Sequence, residues 1–246
     1  MTIGFWFFWV LGLALTTLVG AYMVNNHRKR GLAALSTFLA IYVVGANILV
    51  PRLVVFPLFG LSLVLVTGSI IWPYTAQLSD MINEIYGKKS AYVAAALSYF
   101  SNLMFVSFVQ LGAQFVPIWD APQEGWWSSY FGVAGRVLLA SISSYTAANY
   151  CDIRIFSRIK VWAATREGTL GNLLLYSGLR SALSDGANMI VDNIVFYTIA
   201  FIGTMPFSVL LGIIGSSMLV KFVLGQIDVP FYWAFRVLTR NVSRDF

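Results

Sequence analysis

The run Arg180 to Asp192, RSALSDGANMIVD, places charged and polar side chains at the front of an otherwise apolar stretch. Arg180, Ser184, Asn188 and Asp192 recur every four residues, and Asp185 precedes Asp192 by seven. At about 100° per residue, Asp185, Asn188 and Asp192 share one narrow helical face. Carboxylates and an amide pointing the same way can grip the polar edge of a small ligand. Inside a membrane such groups are costly, and they mark substrate or ion pathways.

Two further constellations have the same character. In DMINEIYGKK, from Asp80 to Lys89, Asp80, Asn83 and Glu84 are three and four residues apart and share a helix face. Gly87 suits a helix stop, with Lys88 and Lys89 placed against the C-terminal dipole, so Glu84 reads either as a wet helix end or as part of a site. Ser141, Tyr145, Ala148 and Asp152 form a second face with Asn149 beside it. Asp152 is then either a span end paired with Arg154 or Arg158 or, with Asn149 one turn inside, the wall of a cavity. Arg136, Arg180 and Lys221 are the cations at membrane depth and could neutralise Asp80, Asp185 or Asp192. Lys221 is expected to snorkel to the cytoplasmic face. Trp72, Tyr74, Phe105 and Phe108 are the aromatics near enough to the polar cluster to stack on a flat ligand.

Other chemistries lack their residues. There is one histidine, His27, in a basic loop, and one cysteine, Cys151, in a predicted span. Histidine-dependent catalysis, a zinc site and a disulfide framework are therefore excluded, and no metal or cofactor is expected. No GxxxxGK[ST] loop is present, so the chain does not hydrolyse ATP by that route. The formal net charge of +6 comes from short basic clusters between apolar spans, a pattern of cytoplasmic retention and not of nucleic-acid binding.

The elements that must position these residues are membrane spans. With 246 residues, 59% hydrophobic and 11% charged, and a mean hydropathy of +0.76, the chain is an all-α polytopic membrane protein. Seven windows reach the roughly 20 apolar residues a span requires: 4–24, 32–50, 54–79, 91–116, 130–151, 186–203 and 207–224. The first lacks a positive n-region and precedes basic residues, as a retained span does. Basic residues follow spans one, three and five (Arg28 to Arg30, Lys88 and Lys89, Arg154 to Arg166) and fill the tail, whereas Arg52, Trp119, Asp120, Glu124, Trp126 and Trp127 lie on the other side. This bias predicts the N-terminus outside and the C-terminus in the cytoplasm, across the cytoplasmic (inner) membrane. The stretch 170–203 would be about 51 Å as one helix against a core of about 30 Å. The stretch must therefore break or tilt, with Gly178 and Gly186 the candidate positions and 170–183 expected along the interface or re-entrant. Three regions result: an additional N-terminal helix and basic loop at 1–30, a six-helix core at 31–228, and a cytoplasmic interfacial tail at 229–246 built on Pro230 to Arg236. A weak internal echo relates 149–156 to 189–196, each with an Asp, an aliphatic residue and a Phe.

Three stretches carry a family resemblance. SDMINEIYGKK from Ser79 to Lys89 resembles a "TDxxNExYGKKxA" signature, NYCDIRIFSRIK from Asn149 to Lys160 resembles "QxxDxxxFxxxK", and Arg180 to Phe196 resembles "RxxxSxxxxxxxDxxxF", in order and spacing. Together they resemble the queuosine precursor transporter family, of the vitamin-uptake-transporter type. Asn47 and Arg52 match an Asn and a basic residue placed before the first signature. The chain departs from the pattern at Ser79, Asn149, Asp185 and Met189. The resemblance implies a six-span core with one added span and import of a 7-deazaguanine-type base, such as the cyano or aminomethyl form. Under it Asp80, Asn83, Glu84, Asn149, Asp152, Arg180, Ser184, Asn188 and Asp192 are candidate substrate-binding residues, with Asp192 or Asp152 on the base edge and Arg180 at the cytoplasmic mouth.

Competing expectations remain open at this level. The same pocket would serve a substrate-binding subunit of an energy-coupled importer, which needs an ATPase partner. A homodimer is compatible with either. An intramembrane aspartyl enzyme using Asp152 and Asp192 would need a shared proton between them, but neither lies in a GxGD-like context.

Overall fold

The computed structural model describes residues 3–116, 122–163 and 170–243; a few side chains within its helices, those of Arg28, Arg180 and Ser184 among them, fall outside that description. Trp119, Asp120 and Arg166 also lie outside the described residues. Helices α1 (Ile3–Asn26) and α2 (Arg28–Leu49) are followed by strands β1 (Leu53–Leu58) and β2 (Leu61–Val66) and a 3₁₀ turn at Thr67–Ile70. Then come α3 (Trp72–Gly112), α4 (Pro122–Phe131), α5 (Ala134–Ala163), α6 (Leu170–Phe201), α7 (Phe207–Leu238) and α8 (Arg240–Ser243). The architecture is the expected all-α membrane protein. Among the described residues four helices carry long apolar windows by length and composition: Ile3–Asn26, Lys29–Leu49, Trp72–Gly112 and Phe207–Leu238. The most extensive packing joins α5 to α6 and α2 to α3.

The window 54–79, expected to be one span, is not a helix over most of its length. Leu53–Leu58 and Leu61–Val66 pair antiparallel, with Leu58 opposite Leu61. Phe59 and Gly60 both have positive φ (50° and 80°), the backbone of a two-residue type I′ hairpin loop. The physical reason lies in the residues: LVVFPLFGLSLVLV is rich in β-branched and aromatic side chains, and Pro57 would interrupt a helix. Phe56, Leu58 and Leu65 pack with Trp9 and Leu13 of α1 and with Val220 and Leu224 of α7. The hairpin is thus set against the middle of α7. Both the backbone N–H and the hydroxyl of Thr67 donate to the Arg52 carbonyl at 2.8 Å and close its base.

Span three proper begins at Trp72 and bends at Gly87 (φ 78°, ψ 172°), giving a shorter helix over 72–86 and a longer one over 88–112. Only glycine takes this backbone conformation readily. The stop expected at Gly87 is therefore observed as a kink. The expected break in α6 is absent: Leu170–Phe201 is one helix of 32 residues, about 48 Å long. It pairs along its length with the 30-residue α5, and two long helices packed together can extend past the hydrocarbon without a break. The residues expected to form an interfacial tail continue α7 through Pro230, with Tyr232 and Phe235 buried in the core shared by α1, α2, α3 and α5.

Every basic cluster between helices falls at one end of the bundle, called here the basic end: the α1–α2 junction, the Gly87 kink, the C-terminal end of α5 and that of α7. Lys29 lines the same groove as Lys89, and Lys88 lines another with Arg154 and Arg158. Farther from that end, the 3₁₀ turn lies directly on α2. A Cβ added at Gly68 would meet the Ala46 carbonyl oxygen at 2.4 Å. Gly68→Ala is expected to cost about 1–3 kcal/mol through this overpacking, read as a lowered melting temperature of the detergent-solubilised protein.

Candidate functional site

The break between hairpin and α3 opens a cavity near the centre of the bundle. Its walls come from α2 (Asn47), the 3₁₀ turn (Ser69), the start of α3 (Trp72), α5 (Ser141, Tyr145), α6 (Asp192, Tyr197) and α7 (Lys221). Non-helical backbone is tolerated at membrane depth where it is buried in protein or lines such a cavity. The N-terminal end of α3 also brings the positive end of its dipole there.

A polar network closes one side. The Lys221 ammonium donates to Asp192 Oδ2 at 2.7 Å and to Asn193 Oδ1 at 3.0 Å. Ser217, one turn before Lys221, donates to the same Asn193 oxygen at 3.0 Å. Ser217 also meets Ser69 at 3.1 Å, and Ser69 meets the Tyr197 hydroxyl at 3.2 Å. Lys221 Nζ stands 5.8 Å from the Trp72 ring centre. The site therefore offers a carboxylate, an ammonium, an amide, hydroxyls and an aromatic face. In this conformation it encloses only about 80 Å³, well under the roughly 300–1,000 Å³ of small-molecule pockets. A ligand larger than a few waters requires the walls to part.

A second cluster lies toward the basic end. Asp80 of α3, Asp152 of α5 and Asp185 of α6 are buried, with carboxylate oxygens within 4.8 Å of one another. Each also takes part in a further interaction. Asp228 of α7 is also buried and within electrostatic reach of Asp185. Helices α6 and α7 run antiparallel, so stepping seven residues along each from the Asp192–Lys221 pair leads to Asp185 and Asp228.

Nearer still to the basic end, Glu84 is a tie point. Arg236 Nε donates to its Oε1 at 3.1 Å, the Tyr232 hydroxyl to its Oε2 at 3.4 Å, and Lys160 Nζ lies 3.7 Å from that oxygen. Lys160 also donates to the backbone carbonyls of Asn83 and Glu84 at 3.2 and 2.6 Å. Glu84 is buried, so the wet-end alternative does not hold.

The candidates separate accordingly. Asp192 lines the central cavity, and Trp72 lines it too. Asp80 and Asp152 belong to the carboxylate cluster, so the structure does not bring Asp152 to Asp192 as an aspartyl dyad would need. Asn83 is engaged with Ser157, its Nδ2 at 3.2 Å and its Oδ1 at 3.3 Å. Asn149 is buried and donates to the Tyr145 carbonyl of its own helix at 3.0 Å. Asn188 is buried on the same face of α6 as Asp185. Arg180 and Ser184 lie on α6, but their side chains are outside the described set. Tyr74 is no stacking platform: it packs on Trp9 and Tyr42 and its hydroxyl donates to the Trp9 carbonyl. Phe108 faces outward, 67% exposed, and Phe105 lines a smaller neighbouring cavity.

Two cations stand elsewhere than expected. Lys221 does not snorkel: it is 5% exposed and paired inside the bundle. Arg136 neutralises no described aspartate; it donates to the Ile199 and Ile202 carbonyls at the C-terminal end of α6, where a cation complements the dipole. Asn193, Ser217, Ser69 and Tyr197 join the site without a sequence expectation, while Lys221 neutralises Asp192, one of the pairings the sequence left open to it. The spacing of Ser217 and Lys221, one turn apart in an apolar helix, was the available signal.

These features define a polytopic helical membrane protein with a polar cavity enclosed between its helices, the build of a solute carrier. The family described as "Putative vitamin uptake transporter" matches residues 66–235. The chain belongs to that family. It is also similar to a protein of Bacillus subtilis (strain 168) named "Probable queuosine precursor transporter", 27% identical over 239 residues that cover 96% of this chain and 97% of the relative. No solved structure matches the chain significantly.

The buried pair yields a stability test. Lys221→Met leaves Asp192 without its counter-charge and is expected to destabilise the protein by about 3–5 kcal/mol. The double variant Lys221→Met/Asp192→Leu should recover much of that loss in thermal unfolding.

Proposed function

We propose that this chain imports a queuosine precursor, a 7-deazaguanine-type base, by a secondary or facilitative mechanism, with the central cavity as its binding site. The name of the Bacillus relative supports this reading, and the observation that carries it is the Asp192–Lys221–Asn193 network enclosed between the helices. A guanine-like base presents adjacent N–H donors that one carboxylate can accept together, a carbonyl that an ammonium can donate to, and a flat face suited to Trp72. The incoming base competes with Lys221 for Asp192, and Lys221 turns to the base carbonyl. Exchange of one partner for another avoids leaving a buried charge uncompensated at any stage.

Transport then requires the two ends to open in turn. The basic end is the cytoplasmic one by the positive-inside rule, and the tie of Glu84 to Arg236, Lys160 and Tyr232 is the contact that must loosen to release the base. The carboxylates Asp185, Asp80 and Asp152 line the way between cavity and tie. The isolated chain should suffice, without an ATPase partner.

Purified protein in liposomes is expected to take up 7-cyano- or 7-aminomethyl-7-deazaguanine saturably. Asp192→Asn should weaken binding by at least about tenfold, the scale of a lost hydrogen bond to a charged group. Absence of saturable uptake by the wild type, or full uptake by Asp192→Asn, rejects the reading.

A further inference from the structure

Asn102, on α3 beyond the Gly87 kink, is 1% exposed, and neither its Nδ2 nor its Oδ1 has a hydrogen-bond partner among the described residues. Buried amides are almost always satisfied, and an unmet donor and acceptor together are costly in a helix bundle surrounded by lipid. A group kept in that condition calls for something that completes it.

Its position is set by the register of α3 against α5. Tyr92 meets Tyr150 with ring centres 6.5 Å apart, Tyr99 meets Tyr145 at 4.5 Å, and Ser98 Oγ lies 3.3 Å from the Tyr145 hydroxyl. The helices run antiparallel, so each turn forward on α3 is matched by one back on α5. One turn beyond Ser98, Asn102 falls opposite Ser141. Ser141 and Tyr145 line the central cavity, whereas Val106, one turn beyond Asn102, lines the neighbouring cavity with Phe105. Asn47 of α2 lines both. Asn102 lines neither cavity in this conformation; by this register it is buried one turn from Val106 of the one and opposite Ser141 of the other, and Asn47 is a wall common to both. The central cavity of about 80 Å³ and its neighbour of about 30 Å³ are together still smaller than a bicyclic base needs, so a bound base requires the walls around Asn47 to part further than joining the two.

We propose that Asn102 is a specificity-determining residue that reads the edge of the bound base once the walls around Asn47 part. The proposal rests on the reading of the central cavity as a nucleobase site. A carboxamide has one face that both donates and accepts, and the guanine-type edge has matching neighbours, a ring N–H beside a carbonyl or an amino group beside a ring nitrogen. Asp192 takes one edge and Asn102 the other, so the base is held from opposite sides of the cavity. The unmet amide of the empty site then favours occupancy by a ligand with the right pair of groups, and it penalises one that lacks either.

The test is binding of 7-cyano-7-deazaguanine and of two analogues, one without the 2-amino group and one without the 6-oxo group, to wild type and Asn102→Leu, with melting temperatures recorded for both proteins. The wild type is expected to prefer the intact base over at least one analogue by about tenfold or more. Asn102→Leu, nearly the same size and apolar, should bind the intact base about tenfold more weakly and lose that preference, while its ligand-free melting temperature stays level or rises. A lower melting temperature with the wild-type preference intact would show a structural role and overturn the proposal, as would unchanged affinity. If Asn102→Leu does not fold, Asn102→Ser is judged by the same criterion. Failure of the wild type to bind the base at all overturns the nucleobase reading itself, an outcome distinct from loss of the Asn102 effect alone.

Discussion

A lysine ammonium in the middle of a lipid-embedded bundle needs an anionic partner within hydrogen-bond reach, and Lys221 has one in Asp192 at 2.7 Å. Much of the central architecture follows from meeting that need. It brings α6 and α7 into antiparallel register, and Asn193 extends the pairing by accepting from both Lys221 and Ser217. Through Ser217 the network reaches Ser69 and Tyr197, which ties the 3₁₀ turn to the same two helices. The cavity lies where this network stops, between the ion pair and α2 and α5.

The second constraint is the non-helical stretch from Val50 to Ile71. Backbone groups outside a helix must find partners when lipid surrounds the protein. The hairpin pairs its two strands with each other, Thr67 closes its base on Arg52, and the Trp9 indole donates to the Ile70 carbonyl at 2.9 Å. Gly68 allows the turn to rest on the α2 backbone. The result is a half-length helix, 72–86, that starts beside the cavity and ends at the Gly87 kink near the tie of Glu84. One short element thus connects the cavity to the basic end.

How legible this was in the residues depended on the kind of information asked for. The apolar windows of α1, α2 and α7 and the shared face of Asp185, Asn188 and Asp192 were visible because period and length are local properties. The hairpin was hidden because a two-sided apolar strand pair and a buried helix have similar hydropathy; Pro57 and the Phe-Gly turn were the only cues. Length set against a membrane thickness alone predicts a broken or tilted α6, and the partner helix α5 lets it extend without a break.

By itself the sequence determined that the chain is a helical membrane protein, which residues are costly to bury, and which of them share a helix face, since composition and periodicity act through the solvent and the single helix. Tertiary structure alone decided partnership. Asp192 pairs with Lys221 and not with Asp152, Glu84 becomes a buried tie and not a wet end, and Asp80, Asp152 and Asp185 gather apart from the cavity. A helix face states a direction, but which group waits there depends on the crossing and register of helices far apart in the chain, and on the electrostatic cost of each unpaired charge in a medium without water.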